Sequence, residues 1–273
     1  MLFRRSAPIR YWVNASACVL LALGVYFVFS AQISGAQSTV VISYALPEQL
    51  TLREPVSLQI AALNGAGEDA TVDFGKNRAG NTQVLLTKPD GSRVSIDPRI
   101  PLQPDEAWVR GVVVLRSQQG YQTELLLSEW AQFDQVGAYW LDIEFIGDVT
   151  LGSDPVQVER RSRLGFEMMP RNQRVLRDVA ERLVQQAQSP DASTAFRAAK
   201  KLMHLNDPVV VPYLSRVISE RKGTWVDPTI IRALERIGNA DARAALLRAS
   251  ESSDPITSEA AGAALTRLDR QAR

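Results

Sequence analysis

The sequence has only one cysteine, one histidine and almost no net charge, with 31 Lys and Arg against 30 Asp and Glu. One Cys and one His cannot supply the ligands of a Cys/His zinc site. A catalytic triad would have to use His204, the only histidine in the sequence. The charge balance excludes a strongly basic nucleic-acid-binding chain and an acidic disordered one. With 273 residues, 45% of them apolar, the chain can fold two domains with their own cores.

The first 36 residues have the pattern of a secretory signal peptide. Three arginines lie within the first ten residues, the apolar run Ala17–Phe29 follows, and Ser34-Gly35-Ala36 supplies small residues for cleavage. This run is shorter than the ~20 residues that a spanning helix needs. The alternative extends the apolar segment to Val13–Ile33 and makes it an uncleaved membrane anchor. Both alternatives export everything after residue 36.

Export determines what the mature chain contains. Cleavage would remove three arginines and Cys18, which leaves a net charge of −2 and no cysteine. A mature chain without disulfides has to be stabilised by its cores alone. We expect a periplasmic or extracellular protein, or one that the N-terminal segment anchors to the cytoplasmic membrane.

Residues 37–165 contain short apolar segments separated by turn residues. Several segments alternate with period two and are rich in β-branched or aromatic residues, as in strands packed on one face. Such strands, one about every dozen residues, predict an antiparallel β-sandwich. The predicted strands are Thr39–Tyr44, Val56–Leu63, Thr82–Thr87, Trp108–Leu115, Thr123–Ser128, Tyr139–Ile146 and Val156–Arg160.

Three motifs within these residues resemble an immunoglobulin-like sandwich of the bacterial extracellular kind. They are Leu52-x-Glu54-Pro55-Val56-x-Leu58, Thr87-x-Pro89-Asp90-Gly91 and Phe133-x-x-x-Gly137-x-Tyr139-x-Leu141. The Gly-x-Tyr pair is similar to the entry of the immunoglobulin strand F. The cysteine pair of antibody domains is missing, so the resemblance does not imply an antibody-type domain.

Residues 171–273 have a helical pattern that repeats. Leu202, Leu205 and Leu214 recur 32 positions later as leucine or isoleucine, and the first two recur again after 31. Asp-Pro pairs precede several of the segments, where the acid can cap a helix and proline fits its first turn. The repeat predicts six helices arranged as three hairpins in an α-solenoid.

Two of these segments, Ala199–Pro208 and Arg232–Ala242, resemble HEAT repeats, in the short form called phycobilisome-lyase-like. The resemblance implies a docking surface, because many unrelated proteins use this solenoid to bind other proteins. The predicted organisation is therefore a leader (1–36), a sandwich (37–165), a linker (166–170) and a HEAT-like solenoid (171–273).

The two predicted domains carry opposite charge. Residues 37–165 have a net charge of −6 and residues 166–273 a net charge of +4. One interpretation is that these charges lie on solvated faces. The other is that the basic solenoid docks on an acidic surface, its own sandwich included.

Few residues are candidates for catalysis. His204 could act as a general base or a single metal ligand, but no nucleophile or second ligand lies at a suitable spacing, so we expect an imidazole at a helix C-terminus, where positive charge is favoured. Asp142 and Glu144 share one strand face, as a glycosidase pair could, but the same alternation is typical of solvated acids opposite an apolar face. We therefore expect no enzyme activity, no cofactor and no metal.

Exposed aromatic and basic side chains are the candidates for binding a partner. Trp130, Phe133, Tyr139 and Trp140 are clustered, and at most one of the neighbours Tyr139 and Trp140 can face outward. Trp225 lies in the longest predicted turn of the solenoid, where it could anchor a partner. The candidate partner-binding residues are Trp225, Arg216, Arg243 and Trp130.

The expected function is that of an exported, non-catalytic protein-protein interaction or scaffold protein that uses both domains. The alternative is an extracellular inhibitor or carbohydrate-binding module built on the sandwich. Expected partners are a protein, the membrane if the leader stays uncleaved, and in the alternative a polysaccharide. Nucleic acid is not expected.

Overall fold

The computed structural model of the chain describes residues 40–99, 111–220 and 226–271, all within one compact unit. The expected leader and Trp225 lie outside these residues, as does the first part of the expected strand Trp108–Leu115. The N-terminal half is built of strands and the C-terminal half of helices, in agreement with the sequence prediction. No helix in the described ranges is long and apolar enough to cross a membrane.

Twelve strands are described in the N-terminal half, and two 3₁₀ turns lie among them. The strands are β1 (Val40–Ala45), β2 (Gln49–Thr51), β3 (Ser57–Asn64), β4 (Ala70–Asp73), β5 (Thr82–Thr87), β6 (Arg93–Ile96), β7 (Val112–Leu115), β8 (Gly120–Leu126), β9 (Gly137–Phe145), β10 (Val149–Leu151), β11 (Asp154–Pro155) and β12 (Arg161–Met169). The 3₁₀ turns are Lys76–Arg78 and Leu127–Glu129.

The strands form two main sheets with one core between them. One sheet has the order β1-β3-β8 and the other the order β2-β12-β9-β5-β6, while a third sheet, β11-β10-β4-β7, extends the fold. The order β12-β9-β5-β6 is that of strands G, F, C and C′ of variable-type immunoglobulin domains. All pairs are antiparallel except β2 with β12. The N-terminal domain is therefore an immunoglobulin-like β-sandwich.

Tyr139 strengthens this assignment. It lies in β9, the counterpart of strand F, and its ring is completely buried. Its hydroxyl donates to the carbonyl oxygen of Gln135 and accepts from the amide of Gln135, both at 3.1 Å. A tyrosine at this corner that bonds to the backbone a few residues upstream is a hallmark of immunoglobulin sandwiches. The Gly137-x-Tyr139 motif therefore has the role that its resemblance implied.

Asn64 fixes the turns at one end of the sandwich. It is fully buried at the end of β3. Its side-chain amide donates to the carbonyl oxygens of Glu68, Leu115 and Arg116 at 2.8, 2.9 and 3.1 Å, and its Oδ1 accepts from the amide of Ala66. One side chain thus joins the β3–β4 connection to the β7–β8 turn.

The last strand corrects the expected linker. Residues 166–169 form the second half of β12 and pair with both β9 and β2, whereas the predicted strand Val156–Arg160 has no regular structure. Phe166 and Met168 point into the core while Glu167 stays exposed. This alternation was missed because β12 has glycine, glutamate and methionine where strand prediction relies on β-branched residues.

The described helices form three hairpins. Their bounds are α1 (Gln173–Ala187), α2 (Ala192–His204), α3 (Val211–Glu220), α4 (Val226–Ile237), α5 (Ala240–Ser250) and α6 (Pro255–Gln271), with a 3₁₀ turn at Pro208–Val210 before α3. Helix α3 contacts α1 and α5, and α4 contacts α2 and α6, so the hairpins stack in two layers. This is the arrangement of HEAT-like repeats.

The repeated leucines form the core of the solenoid. Leu183, Leu214 and Leu246 lie in α1, α3 and α5, and Leu202 and Leu234 lie at the equivalent positions of α2 and α4, all of them buried. Val175 lies in the first turn of α1 and is exposed. Helix α2 begins at Ala192, because Asp191 caps it by accepting from the amide of Thr194 at 2.8 Å.

Candidate interaction surfaces

The two domains are joined directly, because β12 leads into α1 across only residues 170–172. Thr51, the last residue of β2, holds this junction. Its hydroxyl donates to the carbonyl oxygen of Pro170 and accepts from the amide of Asn172, both at 2.8 Å. Asn172 in turn caps α1 by accepting from the amides of Arg174 and Val175. The start of the solenoid is thus fixed to the edge of the sandwich.

A buried carboxylate of the solenoid contacts arginines of both domains. Asp207 precedes the 3₁₀ turn before α3, and its side chain has no exposed surface. Arg171 donates to its two oxygens from Nε at 2.5 Å and Nη2 at 2.8 Å. Arg53, in the turn between β2 and β3, adds Nη1 at 3.3 Å. Asp207 also caps its own turn by accepting from the amide of Val209.

The ionised state of Asp207 is favoured by these contacts. Burial alone would raise the pKa of its carboxyl, but the hydrogen bonds from Arg171 and Val209, with the charges of Arg171 and Arg53, lower it below 3.8.

Arg53 reaches this site from a backbone with φ of 75°, which is unfavourable for a residue with a side chain. The turn between β2 and β3 is therefore shaped for this contact.

A second group of ion pairs joins α2 to strand β8 and to the 3₁₀ turn that follows it. Lys200 Nζ lies 2.7 Å from Glu129 Oε1, and Lys201 Nζ lies 2.7 Å from Glu124 Oε1 in β8. All four side chains are largely covered. The basic solenoid therefore contacts its own acidic sandwich, as the second interpretation of the charge pattern proposed.

Glu54 completes the junction on the side of α1. Burial raises the pKa of its carboxyl, while the hydrogen bond from the amide of Thr51 and the charge of Arg182 oppose the rise. Arg182 belongs to α1, so a sandwich carboxylate again faces a basic residue of the solenoid. These partners are far apart in the sequence, and the charge pattern predicted the contact but none of the pairs.

His204 is partly buried, and its imidazole is not favoured in the charged form. It ends α2, and its Nε2 is buried without a hydrogen-bond partner among the described residues. Burial, with the charges of Arg236 and Lys200, lowers the pKa of its imidazole to about 4. The expectation of a favoured positive charge was wrong, because desolvation and two neighbouring cations outweigh the helix C-terminus.

Two of the candidate binding residues connect helices within the solenoid. Arg216 in α3 donates to Glu181 in α1 at 2.8 Å, and its guanidinium lies 5.8 Å from the ring centre of Tyr213. Arg243 in α5 donates to Asp269 in α6 at 2.5 Å. Both remain partly exposed. Any role in binding a partner would have to coexist with these ion pairs.

The aromatic candidates Trp130 and Phe133 pack against the sandwich core, whereas Trp225 is not described. Trp130 is half-buried against the sandwich core, and its ring nitrogen has no hydrogen-bond partner among the described residues. Phe133 also packs on this core, near the rings of Tyr139 and Phe166. Trp225 lies outside the described residues, so its role stays a prediction.

Trp140 is the exposed aromatic of this cluster. Its neighbour Tyr139 is buried, whereas 43% of Trp140 is exposed on the outer face of β9, as the alternation requires. Asp142 and Glu144 lie on the same face and pair with Arg163 and Arg161 of β12 at 3.5 and 3.2 Å. Leu141, Ile143 and Phe145 fill the core behind them. This is the arrangement of solvated acids opposite an apolar face that the sequence offered as one interpretation.

Among the described residues, no group of three or more His, Cys, Asp or Glu side chains is arranged to hold a metal ion.

The family model for HEAT repeats matches residues 178–267, about a third of the chain. No curated protein matches the sequence. The repeat type of the helical half therefore has independent support, and the resemblance to HEAT repeats is confirmed for those residues.

Solved structures align with about half of the chain at low similarity. A CARDB domain of a Pyrococcus furiosus protein in complex with di-metal ions is 10% identical, with 49% of this chain and 94% of that chain covered and a TM-score of 0.27. The PapD-like domain 7 of human CEP192 is 10% identical, with 55% and 99% covered and a TM-score of 0.27. A β-glucosidase of Listeria innocua bound to glucose is 13% identical, with a TM-score of 0.27. The alignment covers 49% of this chain but only 16% of that enzyme. The sandwich assignment rests on the strand order above and not on these scores.

Proposed function

We propose that the protein is an exported, non-catalytic interaction protein, in which the sandwich holds the HEAT-like solenoid in one orientation and the solenoid binds a protein partner. The observation that carries this proposal is the junction between the domains. The ion pair between Arg53 and Asp207, the two lysine–glutamate pairs and the Thr51 contacts all join the solenoid to the sandwich. Such a junction would hold the outer surface of the solenoid in one orientation relative to the sandwich.

The chemistry of the remaining solenoid surface indicates an acidic partner. Lys200 and Lys201 are engaged by the sandwich. Arg232 in α4 and Arg248 in α5 are exposed and form no ion pair with another described residue. Exposed arginines of this kind steer an acidic surface toward the solenoid and contribute to its binding. Trp225 in the α3–α4 connection is the candidate anchor.

Export is supported by the residues of the leader. Its arginines, apolar run and small residues before position 37 match a signal peptide, and the longer apolar segment would make it an anchor. In either case the sandwich and the solenoid would act outside the cytoplasm. A protein partner would then be another exported protein or the outer part of a membrane protein.

A non-catalytic role is supported by the surroundings of the few reactive groups. His204 has a lowered pKa but lies where Arg236 and Lys200 approach it, and no nucleophile is among those neighbours. Asp142 and Glu144 each pair with an arginine, and all four side chains are exposed on the outer face of the sheet. Neither arrangement brings a nucleophile, a base and an oxyanion site together.

The proposal is tested by photo-crosslinking in cells with the full chain. A photoreactive amino acid replaces Trp225, Arg248 or, as a control on the sandwich, the exposed Ser95 of β6. We expect positions 225 and 248 to capture the same exported protein and position 95 not to capture it. Arg232→Glu with Arg248→Glu should then reduce the capture at position 225 about tenfold or more. No common protein at the two solenoid positions, or equal capture at position 95, would overturn the proposal.

A further inference from the structure

The outer face of the larger sheet has a feature that the proposed function does not use. Trp140 stands near the middle of the five-stranded sheet, directly opposite Gly165 of β12. A Cβ atom on Gly165 would lie 2.8 Å from Cζ3 of the Trp140 ring, so only glycine leaves room for the ring to lie on the strand. The guanidinium of Arg163 lies 5.0 Å from the centre of that ring. The ring is therefore held in one position while 43% of the residue stays exposed.

The groups beside this ring are planar and charged, and their positive and negative charges are equal in number. Two residues further along β9 is Asp142, paired with Arg163, and two further is Glu144, paired with Arg161. Residues 140–144 of one strand extend about 13 Å, so the ring and both ion pairs form one continuous strip. The strip has two cations and two anions and thus no net charge. Its guanidinium and carboxylate groups can both donate and accept hydrogen bonds.

The composition of the strip disfavours a protein as its ligand. Trp and Arg are common at the centres of protein interfaces, but Asp and Glu are depleted there, and burying exposed ion pairs costs their hydration. Here the charged pairs lie next to the aromatic ring and not at a rim. A narrow ligand rich in hydroxyls would cover only part of these ion pairs. Its hydroxyls would replace some of the water that hydrates the pairs, and the rest of that water would stay. Such a ligand would also need an apolar face for the indole, which attracts the positive edges of C–H groups.

A neutral oligosaccharide has these properties. The C–H groups on one face of a pyranose ring fit the indole face, and neighbouring hydroxyls match the two-pronged guanidinium and carboxylate groups. We propose that the strip formed by Trp140, Arg163, Asp142, Arg161 and Glu144 is a binding site for a neutral oligosaccharide. This site is on the sandwich and is independent of the protein contact proposed for the solenoid.

The experiment measures retardation of the full-length folded protein in native gels that contain a soluble polysaccharide. The probes are hydroxyethylcellulose and xylan as neutral chains, and polygalacturonate as an acidic one. Binding to cellohexaose and xylohexaose is then measured by calorimetry. We expect retardation or calorimetric binding with at least one neutral chain and about tenfold weaker binding, or none, with the acidic one.

Variants separate this site from general effects on folding. Trp140→Ala should weaken neutral-chain binding about tenfold or more, while Trp140→Phe should keep part of it. Gly165→Ala should also weaken binding, because the new methyl group displaces the ring without removing it. Phe196→Ala is the matched control, since Phe196 is an aromatic residue of α2 in the solenoid with a similar exposure of 44%. The binding of neutral chains to this variant should stay unchanged.

Several results would overturn the proposal. They are no binding to any neutral chain, stronger binding to polygalacturonate, or equal losses in Trp140→Ala and Phe196→Ala. A photoreactive group at position 140 that captured a protein instead of a glycan would assign the face to a protein partner and would also contradict it. None of these results would affect the crosslinks expected at positions 225 and 248.

Discussion

Arg171 and Asp207 are joined by two hydrogen bonds, from Nε at 2.5 Å and Nη2 at 2.8 Å, and the carboxylate of Asp207 is fully buried between the domains. Arg171 lies just before α1 and Asp207 lies just before α3, so the pair closes the first hairpin of the solenoid. Arg53 of the sandwich contacts the same carboxylate. One side chain therefore stabilises the first repeat and attaches it to the other domain.

Asp207→Ala should lower the free energy of unfolding by about 3 kcal/mol, since it leaves two arginines without their partner and removes a cap. Urea unfolding followed by circular dichroism measures the change. Asp191→Ala is the matched control, because Asp191 caps α2 at an exposed position. We expect it to cost about 1 kcal/mol. Equal effects of the two variants would show that the arginine contacts contribute nothing.

Lys201→Glu should destabilise the junction, because it places a second anion beside Glu124. Adding Glu124→Lys reverses both charges and should restore part of the lost stability. Since both side chains are mostly covered, we expect a coupling energy of about 1 kcal/mol in a double-mutant cycle. A coupling energy near zero would mean that α2 is held against β8 by other contacts.

The junction could be predicted only in outline. The opposite charges of the two halves indicated docking, and the repeat of leucines indicated the solenoid, because both are properties of whole segments. The individual pairs could not be derived, since Arg53 and Asp207 are 154 residues apart and nothing local relates them. Trp140 is an intermediate case: alternation showed that either Tyr139 or Trp140 faces outward, and the buried hydroxyl contacts of Tyr139 decide which.

Asn64→Ala should be one of the most destabilising single substitutions in the sandwich. It removes the two N–H donors that contact three carbonyl oxygens, together with one acceptor, at a buried site, and leaves backbone groups of two turns unsatisfied. We expect a loss of about 3 kcal/mol, measured as a shift of the urea midpoint. Tyr139→Phe, which loses only the hydroxyl contacts with Gln135, should cost about 1 kcal/mol. A larger effect of the tyrosine variant would contradict this ranking.

The stability of the solenoid should fall when the pH drops from 6.5 toward 4. The pKa of His204 is lowered from 6.5 to about 4 in the folded chain, so the unfolded chain takes up its proton first as the pH falls. The imidazole therefore costs almost no stability well above pH 6.5, and by pH 4 the loss is about 3 kcal/mol. His204→Leu should flatten this part of the profile.

The imidazole resonance reports the same pKa directly, because the sequence has one histidine. Its titration followed by nuclear magnetic resonance should have a midpoint near 4. A midpoint near 6.5 would show that the imidazole is hydrated and that neither burial nor Arg236 and Lys200 act on it. Asp207 acts at lower pH: its lowered pKa gives stability that is present above 3.8 and is lost as the pH falls further.

The fixed orientation of the two domains is tested most directly by the distance between spin labels. Cysteines replace the exposed Ser95 of β6 and Glu251 after α5, in a chain whose own Cys18 is changed to serine. We expect pulsed electron resonance to give one narrow distance distribution. The combination of Asp207→Ala with Lys201→Glu should broaden it while circular dichroism still shows both domains folded. A broad distribution in the chain with an intact junction would contradict the fixed orientation and, with it, the proposed mode of action.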